Sequence, residues 1–175
     1  SLFLVPKFLV NEDGSLGERN DVRVMSTEHK LGIHASPTCV MGFGENEGAI
    51  GYLIGDPGDG LACMFTLMNH ARLEVGLQGV AISERAYQDA LGYARERVQG
   101  RDVETGESAA IIKHADVQRM LMCMKSLTEA MRGLTYDGAF AHDFRIHSQD
   151  EDEKRHFDER FSLLTPLVKA WCTEV

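Results

Sequence analysis

The sequence holds 175 residues, of which 43% are hydrophobic and 26% charged, a globular balance that excludes wholesale disorder. Its 27 acidic residues against 18 Lys and Arg give a formal charge of −9. That excess argues against a general nucleic-acid or membrane-surface binder, since both need a basic face. The four cysteines, Cys39, Cys63, Cys123 and Cys172, form no CxxC pair. They suit a reducing, cytoplasmic setting better than a disulfide framework, and no segment approaches the ~18 apolar residues of a membrane span.

Composition changes near residue 56. Residues 1–55 carry glycines and short β-prone runs, LFLVPKFLV, DVRVMST, PTCVMGF and AIGYLIG, parted by turn signals such as Glu12-Asp13-Gly14. The apolar opening contains Pro6 and Lys7 and reads as a strand, not a signal peptide. Residues 56–175 read as long helices. The first is expected to start around Asp56-Pro57-Gly58-Asp59 and to run to about Val98. GRDVETGES then reads as a break. The second helix is expected over His114–His147, with apolar positions Val117, Leu121, Met124, Leu127, Met131 and Leu134.

The third helix is expected to start with Ser148 as its N-cap and Glu151 as the capping-box partner. Its stripe is Phe157, Phe161, Leu164, Val168, Trp171 and Val175, and Pro166 is expected to kink it. Strands followed by helices, without βαβ alternation, point to two structural units rather than a Rossmann domain. The predicted architecture is mainly α: an antiparallel up-and-down bundle, three helices of four, preceded by short strands. An opening strand with nothing before it and a stripe still running at Val175 give the impression of part of a longer chain.

Projecting the first helix at 100° per residue places Gln78, Arg85, Gln88, Asp89, Arg95 and Glu96 outward. Leu61, Phe65, Met68, Gly76, Gly79, Ala86 and Ala90 fall on the other side, and Arg72 and Arg97 fall with them. The two arginines are nearly in line, about 37 Å apart along a straight helix. A guanidinium on an apolar face needs an anion or a dense set of acceptors. Two readings follow: salt bridges to neighbouring helices, or donors for phosphate-bearing ligands approaching past the small residues.

Other signals are weaker. Gly42-Phe43-Gly44 lacks the third glycine of a dinucleotide loop, and no GK[ST] occurs, so the glycine-rich run reads as turns. Glu153 to His156 is a single ExxH in a charged first turn, where a di-iron bundle needs two plus further glutamates. His142 and His147 lie five apart and share no face, so no metal site is expected. The methionines Met120, Met122, Met124 and Met131 read as core and interface packing.

The segments EHKLGIHASPTC and AIGYLIGDPGDGLACMFTLMNHARLEVGLQGVAISERAYQDALGYARERVQG resemble the acyl-CoA dehydrogenases. Lys30, Gly32 and Ser36 match the K-x-G-x-x-x-S pattern at the end of that family's middle β-domain. The long helix carries the family's arginine in its first third and a closing E-R. GIHASPTC and MNHAR are most similar to the 3-methylmercaptopropionyl-CoA dehydrogenase branch. The resemblance implies the end of a β-domain over 1–55 and a truncated helical domain over 56–175.

It also implies FAD as cofactor and an acyl-CoA substrate desaturated between Cα and Cβ. An electron-transfer flavoprotein is the implied acceptor, within fatty acid metabolism, although an oxidase passing electrons to oxygen stays open. The implied partners include further copies of the chain in a homo-oligomer. Residue by residue, Arg72 matches the arginine that contacts the CoA part of the substrate, and Asn69 stands where many members have Asp. Arg97 matches the arginine of E-R-x-x-F-G, which contacts the FAD diphosphate of a neighbouring subunit.

Two departures stand out. Val98-Gln99-Gly100-Arg101 follows Arg97 in place of x-x-F-G, and His34 replaces the usual arginine of K-x-G-x-R-x-S. The catalytic glutamate falls near the end of the fourth helix in most members and directly before the Arg72 position in a minority. Ala71 occupies that second place, and Glu74 projects away from Arg72. The base is therefore expected beyond this chain, which alone is expected to be inactive. The competing reading is a non-enzymatic helical-bundle interaction module.

Overall fold

The computed structural model describes residues 1–46 and 48–175; Glu47, within the glycine-rich run, lies outside them. The chain divides into two compact units, Ser1–Thr66 and Leu67–Val175. The first contains three antiparallel pairs. Strand β1 (Leu2–Leu4) pairs with β6 (Tyr52–Ile54), β2 (Phe8–Val10) with β3 (Leu16–Arg19), and β4 (Val22–Thr27) with β5 (Cys39–Phe43). The buried amide of Asn20 ties them together: Nδ2 donates to the carbonyls of Pro6 and Ile50, and Oδ1 accepts from the amides of Asp21 and Ile50. Both N–H groups and both oxygen lone pairs of that side chain are used, which is what burial of a primary amide requires.

Helix α1 (Gly60–Glu96) begins in the first unit and continues through the second. The expected break after it is a β-hairpin, β7 (Val98–Arg101) against β8 (Ser108–Ala110). Asp102 builds the turn: its Oδ1 accepts from Glu104 N at 2.9 Å, and the Asp102 carbonyl accepts from Gly106 N, where φ is +71°. Helix α2 spans Ala115–His147 and α3 spans Glu151–Glu174, continuing through Pro166.

The cap of α3 differs from the expected one. Asp150, not Ser148, is the N-cap, its carboxylate accepting from Asp152 N at 2.8 Å and Glu153 N at 3.4 Å. A carboxylate brings a full charge to the positive helix end, which a hydroxyl cannot. Ser148 closes α2 instead, its N–H donating to the Phe144 carbonyl, and its hydroxyl meets the Glu153 carboxylate.

The three helices run up, down and up around two linked apolar clusters. Val80, Met131, Val168 and Cys172 form one, Ala141, Phe161 and Leu164 the other, and Leu73 and Leu134 touch both. The small residues of α1 are explained here. A Cβ at Gly76 would overlap Val168 Cγ1, and one at Gly79 would overlap the Cys172 carbonyl. These glycines bring α3 against the α1 backbone, so the close approach expected for a ligand is made by a helix at both positions. The methionines divide: Met131 is buried, whereas Met120 and Met122 are exposed.

Candidate ligand-binding site

Arg72 and Asn69 sit on α1, where the second unit begins. Asn69, Leu73, Gly76 and Val80 follow the four-and-three spacing of one helix face. Leu73, Gly76 and Val80 pack onto α2 and α3, and Asn69 is half-buried one turn before them. Arg72 is half-buried on the adjoining edge, three residues from Asn69, so the two can address one ligand. Ala71 between them offers no proton acceptor. Glu74 lies about 200° from Arg72 around the helix. It is exposed, and its Oε1 stands 3.2 Å from His70 Nε2.

Arg97 follows the last residue of α1. Its backbone is fixed at both polar groups, the N–H donating to the Tyr93 carbonyl at 2.9 Å and the carbonyl accepting from Ile111 N at 2.8 Å. Its side chain is exposed and reaches Gln99 Oε1 at 3.4 Å, a long and weak bond. A fixed backbone with an outward guanidinium is a donor suited to a diphosphate. Beyond it, Gln99 O lies 2.7 Å from His114 Nε2, Gly100 takes φ +79°, and Arg101 Nη1 donates to the Gly106 carbonyl. Arg72 and Arg97 do not converge; they mark opposite ends of the α1 segment in the second unit.

Ser83 and Ala86 of α1, Met124, Leu127 and Met131 of α2 and the terminal Val175 help line a mostly apolar cavity of about 200 Å³. A larger groove of about 610 Å³ is lined by Leu134, Leu167, Ala170, Trp171 and Glu174. Among the described residues no group of three or more His, Cys, Asp or Glu side chains could hold a metal ion. The ExxH residues lie in a charged first turn: Glu153 accepts from the Ser148 hydroxyl, Lys154 pairs with Glu151, Arg155 with Asp152, and His156 meets Phe157 edge-on. Among the described residues no helix is long and apolar enough to cross a membrane.

One constellation had no signal in the sequence. His70 of α1 and His142 of α2 lie against each other, tilted by 43° with ring centroids 5.4 Å apart, although 72 positions separate them. His142 also meets Phe161 of α3 edge-on at 5.1 Å, and the Arg145 guanidinium lies 4.3 Å over that same ring. Arg145 Nη1 holds Asp158 Oδ1 at 2.8 Å, while its Nε is buried without a partner among the described residues. Burial pushes the His142 imidazole below its ordinary value, and the charges of Arg145 and His70 push it the same way against weaker help from Asp143.

Residues 58–175 match the family model described as acyl-CoA dehydrogenase, C-terminal domain. The chain is 47% identical, over 99% of its length, to the 3-methylmercaptopropionyl-CoA dehydrogenase of Ruegeria pomeroyi. It is 41% identical over its whole length to a butyryl-CoA dehydrogenase of Syntrophomonas wolfei. It spans 29% and 30% of those two proteins. The fold is similar to that of butyryl-CoA dehydrogenase from Megasphaera elsdenii, with a TM-score of 0.55 and 22% identity over 89% of this chain and 40% of that one.

Proposed function

Because the chain belongs to the acyl-CoA dehydrogenase family, we propose that it supplies part of the substrate and cofactor sites of an FAD-dependent enzyme that desaturates an acyl-CoA thioester between Cα and Cβ. The observation that carries this reading is the placement of Arg72 and Arg97, one near each end of the second unit's stretch of α1. The half-buried guanidinium of Arg72 binds the CoA part of the substrate, with the Asn69 amide beside it as a neutral donor and acceptor. Arg97 holds the FAD diphosphate of a neighbouring subunit in a homo-oligomer, its fixed backbone aiming the exposed guanidinium.

Bound FAD supplies the hydride acceptor of the reaction. Neither Ala71 nor Glu74 serves as the base, since Ala71 cannot take a proton and Glu74 pairs with His70 on another face. The general base therefore lies outside these residues, and the chain by itself is inactive. An electron-transfer flavoprotein is the proposed acceptor, in cytoplasmic fatty acid metabolism. The open groove at Leu134, Leu167 and Trp171 is what favours the competing interaction module.

Arg72→Ala in the intact protein tests the reading. It should weaken acyl-CoA binding by about 1.5–3 kcal/mol, the range for a hydrogen bond to a charged group, with flavin retained. Unchanged acyl-CoA affinity removes Arg72 from the site. Arg97→Ala should instead lower flavin content, and full retention removes Arg97.

A further inference from the structure

We propose that His70 and His142 form a proton-sensitive clasp between α1 and α2, closed when the pair carries at most one proton and loosened when both rings are charged. The geometry supplies the argument. Two imidazoles from different helices meet with centroids 5.4 Å apart, so two charges there repel across the helix contact itself.

The surrounding charges differ for the two rings. On α1, Glu74 lies 3.2 Å from His70 Nε2 and serves as its counterion. On α2, Asp143 Oδ1 is 3.9 Å from His142 Nδ1, a weaker partner, and Arg145 follows one turn on. On α3, Phe161 presents its edge to His142, and Asp158 is taken up by Arg145. His142 is thus enclosed by one ring, one cation and one imidazole, with its side chain only 20% exposed, against 53% for His70.

The direction of the linkage follows. With its folded value held below 6.5, His142 stays neutral on folding at neutral pH and contributes fully there. As pH falls below 6.5, the unfolded or opened form takes up a proton that the closed form resists. Stability of the contact is lost progressively until the folded value is passed. His70 lies between Asn69 and Arg72, so the loosened turn carries the proposed acyl-CoA donors; that consequence rests on the proposed function, whereas the clasp does not.

The test is hydrogen exchange of the intact protein without ligand, read over residues 66–75 and 138–147 and corrected for the intrinsic pH dependence of exchange. Two unit charges at this separation in a medium near water's permittivity give a factor of about four. Opening should therefore be at least about fourfold more frequent at pH 5 than at pH 7.5. His142→Phe, and the milder His70→Phe at the more exposed ring, should each flatten that dependence. Glu74→Gln removes the carboxylate that favours charged His70, so the gain in opening at pH 5 should shrink, which general acid unfolding does not explain. If His142→Phe fails to fold, His70→Phe and Glu74→Gln decide the matter. Equal corrected exchange at both pH values in the native protein, or an unaltered pH dependence in His70→Phe, overturns the clasp. Acyl-CoA affinity is measured separately, so failure of the ligand reading leaves this result standing.

Discussion

Replacing Gly79 by Ala is the sharpest structural perturbation of the bundle. In an exposed helix interior that change stabilises by about 0.8–1 kcal/mol. At Gly79 the added Cβ would overlap the Cys172 carbonyl, which is backbone and cannot rotate away. Helices α1 and α3 must move apart, disturbing the contacts that Val80 makes with Val168 and Cys172. Overpacking of this kind costs about 1–3 kcal/mol, and a backbone clash belongs at the upper end. After the helix-propensity gain, the net loss is about 1–2 kcal/mol. Gly92→Ala is the internal control: it lies on the same helix with nothing within 4 Å of its Cβ position, so it should gain stability. Hydrogen exchange of the α1 and α3 amides in the intact protein reads both. Exchange should quicken by about tenfold in Gly79→Ala and slow in Gly92→Ala. Equal protection in the two variants would refute the close α1–α3 packing.

Phe161→Ala removes a fully buried ring, together with the face under Arg145 and the edge against His142, and should destabilise by about 3–5 kcal/mol in denaturant unfolding of the intact protein. Asp150→Ala deletes the α3 cap and should cost about 0.5–2 kcal/mol, with exchange quickened mainly at Asp152 and Glu153. In a thiol titration of the native protein at pH 8, exposed Cys123 should react ahead of Cys172, whose thiol burial pushes up and packs beside Met131 and Val168. Early modification of Cys172 would contradict its place in the core.

The helices were legible because each carries a long stripe. Phe161, Leu164 and Val168 predict the inner face of α3 from spacing alone, and all three are buried. Projection at 100° per residue puts Arg72 beside the inner face of α1, where it is half-buried, whereas Arg97 follows the end of α1 and is exposed. Features set by distant partners were not legible. The purpose of Gly76 and Gly79 depends on Val168 and Cys172, about ninety positions away, and small residues read equally well as room for a ligand. The Asn20 knot joins Pro6, Asp21 and Ile50 through a side chain that looks in sequence like any turn asparagine. The Ser148 cap failed on a two-residue shift, because Asp150 offers the same motif with a charge. His70 and His142 meet only once α1 and α2 lie antiparallel.

The central claim is that the intact protein is a flavin enzyme reduced by acyl-CoA thioesters. Its most direct test is the anaerobic visible spectrum of the intact protein, taken before and after addition of a panel of acyl-CoAs of differing chain length and sulfur content. Bleaching of a bound flavin by at least one of them is expected. A protein that takes up no FAD, or a bound flavin that none of the thioesters reduces, contradicts the proposed reaction.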